Sequence, residues 1–80
     1  PSNGDVTLKY YLPKQMDGAV AKVYDMVGRL VWAQAIEREE GMQQASLNLN
    51  SLQKGNYIVI ISAGNNSGEQ YVNNKLLILK

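Results

Sequence analysis

Apolar and polar residues alternate with a period of two along most of the chain. In residues 5–12 (DVTLKYYL), Val6, Leu8 and Tyr10 fall on one side and Asp5, Thr7 and Lys9 on the other, the signature of a half-buried strand, and Pro13 ends it. Residues 19–25 (AVAKVYD) place Ala19, Ala21 and Val23 on one face. Asp25-Met26-Val27-Gly28 then supplies a hairpin connection, with glycine available for positive φ. The return strand, Arg29–Ile36, carries apolar groups on both faces: Leu30, Trp32 and Ile36 oppose Val31, Ala33 and Ala35. Val31 and Ala33 are expected inside, with Trp32 covering a sheet face or edge.

A charged turn, Glu37-Arg38-Glu39-Glu40-Gly41, precedes a strand in which Ala45, Leu47 and Leu49 share a face. Ser51–Gly55 reverses the chain, and Leu52, apolar among polar neighbours, is placed to plug the end of a core. The strongest strand follows at 55–63 (GNYIVIISA), with Tyr57, Val59 and Ile61 opposing Ile58 and Ile60. After the turn Gly64–Gly68, residues 69–80 read as one long strand, bent or bulged at Asn73-Asn74. Short strands with turn signals every 8–12 residues and no helical period predict an all-β fold. The expected form is an immunoglobulin-like antiparallel β-sandwich of about seven strands, Greek-key in type. Gly55 followed by Tyr57 after a short loop bearing Leu52 matches the corner of that fold, where a tyrosine hydroxyl bonds nearby backbone.

Eighty residues make a single domain, and without cysteine its stability rests on one core, with a margin of roughly 3–5 kcal/mol. The net charge of +1, spread over scattered Lys and Arg, argues against nucleic acid, whose binders cluster basic residues. No stretch approaches the ~20 apolar residues of a spanning helix, and no signal peptide opens the chain. Pro1-Ser2-Asn3-Gly4 reads as a turn entered part-way, so a piece of a longer protein is expected.

Nucleophilic catalysis needs an activated hydroxyl or thiol beside a base, and the chain has neither His nor Cys. Asp17, Asp25, Glu37, Glu39 and Glu40 sit in turns as solvated charges, the spaced acidic pattern of a calcium loop is missing, and Gly28 and Gly55 have no phosphate-loop context. No enzyme activity, metal or cofactor is expected. Tyr10, Tyr11, Trp32 and Tyr71 could form a carbohydrate-binding or adhesive platform, although cross-strand packing accounts for them more simply.

What remains is an excess of apolar residues. IVII at 58–61 and LLIL at 76–79 are hydrophobic on both faces, whereas a two-layer sandwich needs one apolar face per strand. A neighbouring domain, a second copy or a receptor should cover the other face. An exposed edge strand of this kind also favours a homodimer at high concentration.

Four segments in order, PSNGDVTL, AKVYDMVGRLV, LNLNSLQKGNYIVII and the final KLLILK, resemble the type A C-terminal sorting domain of cargo proteins of the type IX (Por) secretion system of Bacteroidetes. The likeness spans practically the whole chain. The N-P pair that opens the family is represented by Pro1 alone. The resemblance implies a seven-stranded immunoglobulin-like sandwich that addresses its N-terminal cargo to the outer-membrane translocon from the periplasm. A sortase-like cysteine peptidase then removes the domain at the cell surface, upstream of Pro1, and the cargo stays there or is released. By motif, export recognition falls to Gly55 and Tyr57 and to the tail Lys75, Leu76, Leu77, Ile78, Leu79 and Lys80, while Asp25, Gly28, Arg29 and Leu52 belong to structural motifs. For the glycines and Tyr57, backbone and packing needs are a sufficient alternative; for the tail, recognition and packing are evenly matched.

Overall fold

Residues 5–79 are described by a computed structural model. Each alternating segment forms a strand: β1 (Asp5–Leu12), β2 (Gly18–Asp25), β3 (Leu30–Ala35), β4 (Gly41–Asn48), β5 (Gly55–Gly64) and β6 (Gln70–Leu79). All pairings are antiparallel and build two sheets, β1-β4 and β3-β2-β5-β6. The chain thus visits the small sheet, the large sheet, and each again. The expected count of about seven strands is corrected to six among the described residues.

The inward faces are those the alternation predicts. Leu8, Tyr10 and Leu12 of β1, Ala45 and Leu47 of β4 with Leu49 just beyond it, Ala21 and Val23 of β2, and Tyr57, Val59, Ile61 and Ala63 of β5 are buried between the sheets with Met16. Leu52 packs half-buried against this core, and its N–H donates to the Leu49 carbonyl (3.0 Å), closing the β4–β5 reversal. The Tyr10 hydroxyl donates to the Glu37 carbonyl at 2.7 Å, tying the small sheet to the segment that follows β3. Burial, and then the Glu37 charge, push that phenol's pKa up.

Two local expectations are corrected. The register of β2 with β3 pairs Val23 with Trp32 and Tyr24 with Leu30, passing over Val31, so the irregularity lies there. One extra residue reverses the faces: Trp32 turns to the core side opposite buried Val23, and Ala33, opposite Lys22, is exposed rather than buried. Val31 is half-buried and touches the core. Conversely, β6 pairs with β5 from Gln70 to Leu79 without a shift, so no bend or bulge occurs at Asn73-Asn74.

Candidate functional site

The β2–β3 connection organises itself around one carboxylate. Asp25 Oδ1 accepts from the N–H groups of Val27 (3.1 Å) and Arg29 (2.9 Å), and Arg29 Nε donates to Oδ2 (2.9 Å). The backbones close on each other through Asp25 N to Arg29 O and Gly28 N to Asp25 O, both 3.0 Å, and Gly28 sits at φ 90°, where a Cβ would be strained. The backbone N–H of Arg29, then its side chain and charge, hold the Asp25 carboxyl below the ordinary range, with the Val27 N–H adding to the effect. Asp25, Gly28 and Arg29 therefore have a complete structural role.

The β5–β6 connection repeats this design. Asn65 Oδ1 accepts from Ser67 N (3.1 Å) and Glu69 N (3.0 Å), Gly68 is at φ 83°, and Glu69 Oε1 accepts from Asn65 Nδ2 (2.9 Å). Lys14 bridges to Glu69 at 2.8 Å and, with Asn65, keeps that carboxyl below its usual range. Sequence reading passed over the second loop as a flexible turn; its signal was Asx, two residues, glycine, then a charged residue, the same spacing as 25–29.

The Gly55–Tyr57 corner forms as expected, with the Tyr57 hydroxyl donating to the Gln53 carbonyl at 2.6 Å, Gly55 at φ 151°, and the Tyr57 ring buried. Register carries the corner to the other motifs. Asp25 lies opposite Tyr57 and Tyr57 opposite Leu77, while Gly55 lies opposite Leu79. The hairpin, the corner and the tail thus converge at one end of the large sheet; Lys80 lies outside the described residues.

Within the tail, the strand's period divides the residues. Lys75, Leu77 and Leu79 lie opposite Val59, Tyr57 and Gly55 on the inner face and are half-buried. Leu76 (68% exposed) and Ile78 (54%) project outward. Leu76 continues a row across all four strands, Leu30–Tyr24–Ile58–Leu76, in which Leu30 is 52% and Ile58 37% exposed. Met26 and Val27, exposed at the tip of the β2–β3 loop, extend this band, and beside it an open depression of about 290 Å³ is lined by Tyr24, Asp25, Met26, Gly28, Ile58 and Ile60. The next row, Ala33–Lys22–Ile60–Asn74, is mixed, so the apolar band belongs to the end where the motifs meet. The sequence does not mark Tyr24, Leu30, Met26 and Val27 as site residues, because only cross-strand register places them beside Leu76.

The aromatic residues do not share a surface. Tyr10, Trp32 and Tyr71 face or pack against the core, whereas Tyr11 is exposed on the small sheet. The Trp32 Nε1 is buried and finds no hydrogen-bond partner among the described residues. This separation gives no support to a sugar platform built from the four.

The fold is a small all-β domain whose large sheet carries an exposed apolar band that runs onto β6. Residues 1–78 match the family described as the secretion system C-terminal sorting domain, and the chain belongs to that family. It is a sorting signal of type IX secretion, which implies engagement of that machinery and export to the cell surface or secretion. No curated protein and no solved structure matches the chain.

Proposed function

We propose that this non-enzymatic domain is read as a folded unit by the outer-membrane translocon, and that the surface read is the outward band Leu30–Tyr24–Ile58–Leu76 with Ile78. The carrying observation is that this row crosses all four strands beside the converging motifs. The solvent-facing Leu76 and Ile78 add nothing to a lone sandwich, and contiguous exposed apolar groups mark contact surfaces. The domain would meet the translocon from the periplasm and, in Bacteroidetes, be cut from its cargo upstream of Pro1 by a sortase-like cysteine peptidase. The facing sheets β1-β4 and β3-β2-β5-β6 also support an immunoglobulin-like Greek key.

Direct reading and fold completion separate by face. In a passenger fusion expressed in a bacterium with type IX secretion, the double variant Leu76→Asn/Ile78→Asn should keep the melting temperature of the parent domain. Surface delivery should fall by at least about tenfold, as loss of interface anchors does. Deletion of Leu76–Lys80 should abolish delivery. Normal export of the folded double variant would show that the outer band is not the reading surface.

A further inference from the structure

One end of the large sheet is β3, an internal strand whose flanking segments, the β2–β3 loop and residues 36–40, are both described. The Ile36 N–H donates to the Ala19 carbonyl at 3.1 Å, in the register that pairs Val20 with Ala35 and Ala21 with Gln34. Antiparallel strands turn alternate residues toward each side, so Trp32, Gln34 and Ile36 give their backbone groups to β2, while Ala33 and Ala35 aim theirs at the free edge. Among the described residues nothing bonds to those outward groups. Edge strands are normally guarded by charge or proline. β1 carries Asp5 and Lys9, β6 carries Lys75, and on β4 the Ser46 carbonyl is taken by Gln34 Nε2 at 3.1 Å. From Leu30 to Ile36, β3 has no charge and no proline, and its irregularity at Val31 lies at the start of the strand.

We infer that β3 pairs antiparallel with β3 of a second copy of this chain, across a two-fold axis at Ala33. Each Ala33 N–H then donates to the Ala33 carbonyl of the other copy, Ala35 comes opposite Val31, and Trp32 comes opposite Gln34. The same count sets Arg29 of each copy against Glu37 of the other. The Arg29 side chain spends Nε alone on Asp25 and is 79% exposed, and the Glu37 carboxylate is exposed without a bond among the described residues. Two ion pairs thus flank an uncharged centre, so the strand is complementary to itself, as a two-fold interface must be. A register shifted two residues toward Glu37 would call on the Glu37 carbonyl, which already accepts from the Tyr10 hydroxyl.

A second copy is favoured over a foreign strand because this chain supplies both members of each ion pair. The six residues of β3 fall well below the ~20–30 residues a side of a standard interface, so the pairing is weak and shows at high concentration. It extends the large sheet in its own plane and leaves the outward sides of Ile58 and Leu76 uncovered. Self-pairing through β3 and reading through the outward band therefore stand or fall separately.

The test uses the 80-residue chain, by NMR and sedimentation. Between micromolar and millimolar concentration, hydrogen exchange at the Ala33 and Ala35 amides should slow, and the shifts of those amides and of the Trp32 indole N–H should move. Ala33→Lys sets two lysines face to face at the axis, each beside Lys22 of its own copy, and should weaken association about tenfold. Mixing it with Ala33→Glu should restore association, because the mixed pair matches opposite charges at the axis. Ala33 is exposed, so both variants should melt near the parent; if either fails to fold, exchange in the unchanged chain still decides. Five outcomes would overturn the inference: no concentration dependence at Ala33 and Ala35, protection of both already in dilute domain, a dimer whose newly protected amides lie on β6 instead, Ala33→Lys associating like the parent, or a mixture no stronger than Ala33→Lys alone. The second would mean that the chain closes its own edge, and the third that another edge pairs.

Discussion

Asp25 and Asn65 show how one side-chain oxygen can dictate a loop. Each accepts from the N–H groups two and four residues on, and each is followed three residues on by a glycine with positive φ. The loops differ in charge, and that difference is testable. An unfolded aspartate titrates near ~4, whereas in the fold the Arg29 N–H and guanidinium hold Asp25 lower. On acidification the unfolded chain therefore takes up the proton first. The stabilisation is present above about pH 4 and is lost as pH falls through the depressed folded value. Glu69, lowered chiefly by Lys14, acts with the same sign. Asp25→Asn keeps an oxygen acceptor, as Asn65 does, while removing the titration. Its melting temperature should lie below that of the parent at pH 7, where the ionised carboxylate stabilises the fold, and approach it at low pH, so that its decline between about pH 5 and 2 is shallower; superimposable acid profiles would show that Asp25 is not a source of acid sensitivity.

At the scale of the elements, strands whose alternation is clean were legible to within a residue or two, because period two and burial on one face coincide. β1, β2, β4 and β5 are of this kind. β3 was misread in its faces because it is apolar on both sides, and a single skipped residue at Val31, set by pairing with β2, turned Trp32 inward. β6 carries the same ambiguity, resolved by register: Leu77 inside, Leu76 outside. The energetic contrast between faces follows. Ile61→Ala, at a fully buried position, should cost about 2–5 kcal/mol, comparable to the whole margin of a domain this small. Leu76→Ala should stay within about 0.5 kcal/mol. Urea titrations of both variants check this, and a large loss from Leu76→Ala would mean that the outer band is part of the fold's own stability.

For the molecule as a whole, the proposed reading surface is what folding leaves uncovered on the large sheet. The outward band and the outer edge of β6 could also pair with a second copy, but a handful of apolar side chains falls below the ~20–30 residues a side of a standard interface. Weak self-association follows: sedimentation should show monomer at micromolar concentration and a growing dimer fraction toward the millimolar range. A monomer throughout would argue that the band is reserved for a partner of different shape.

The chain by itself determined that this domain is all-β, which residues of its unambiguous strands face inward, where its hairpins turn, and that its last strand carries more apolar surface than one face needs. Those are local consequences of alternation and of turn residues. Only the tertiary structure decided which side of β3 and β6 is outside, and that Leu76 shares a row with Leu30, Tyr24 and Ile58. The physical reason is the same in each case. When both faces of a strand are apolar, its sequence does not distinguish core from surface, and the choice passes to register and to which strands lie alongside.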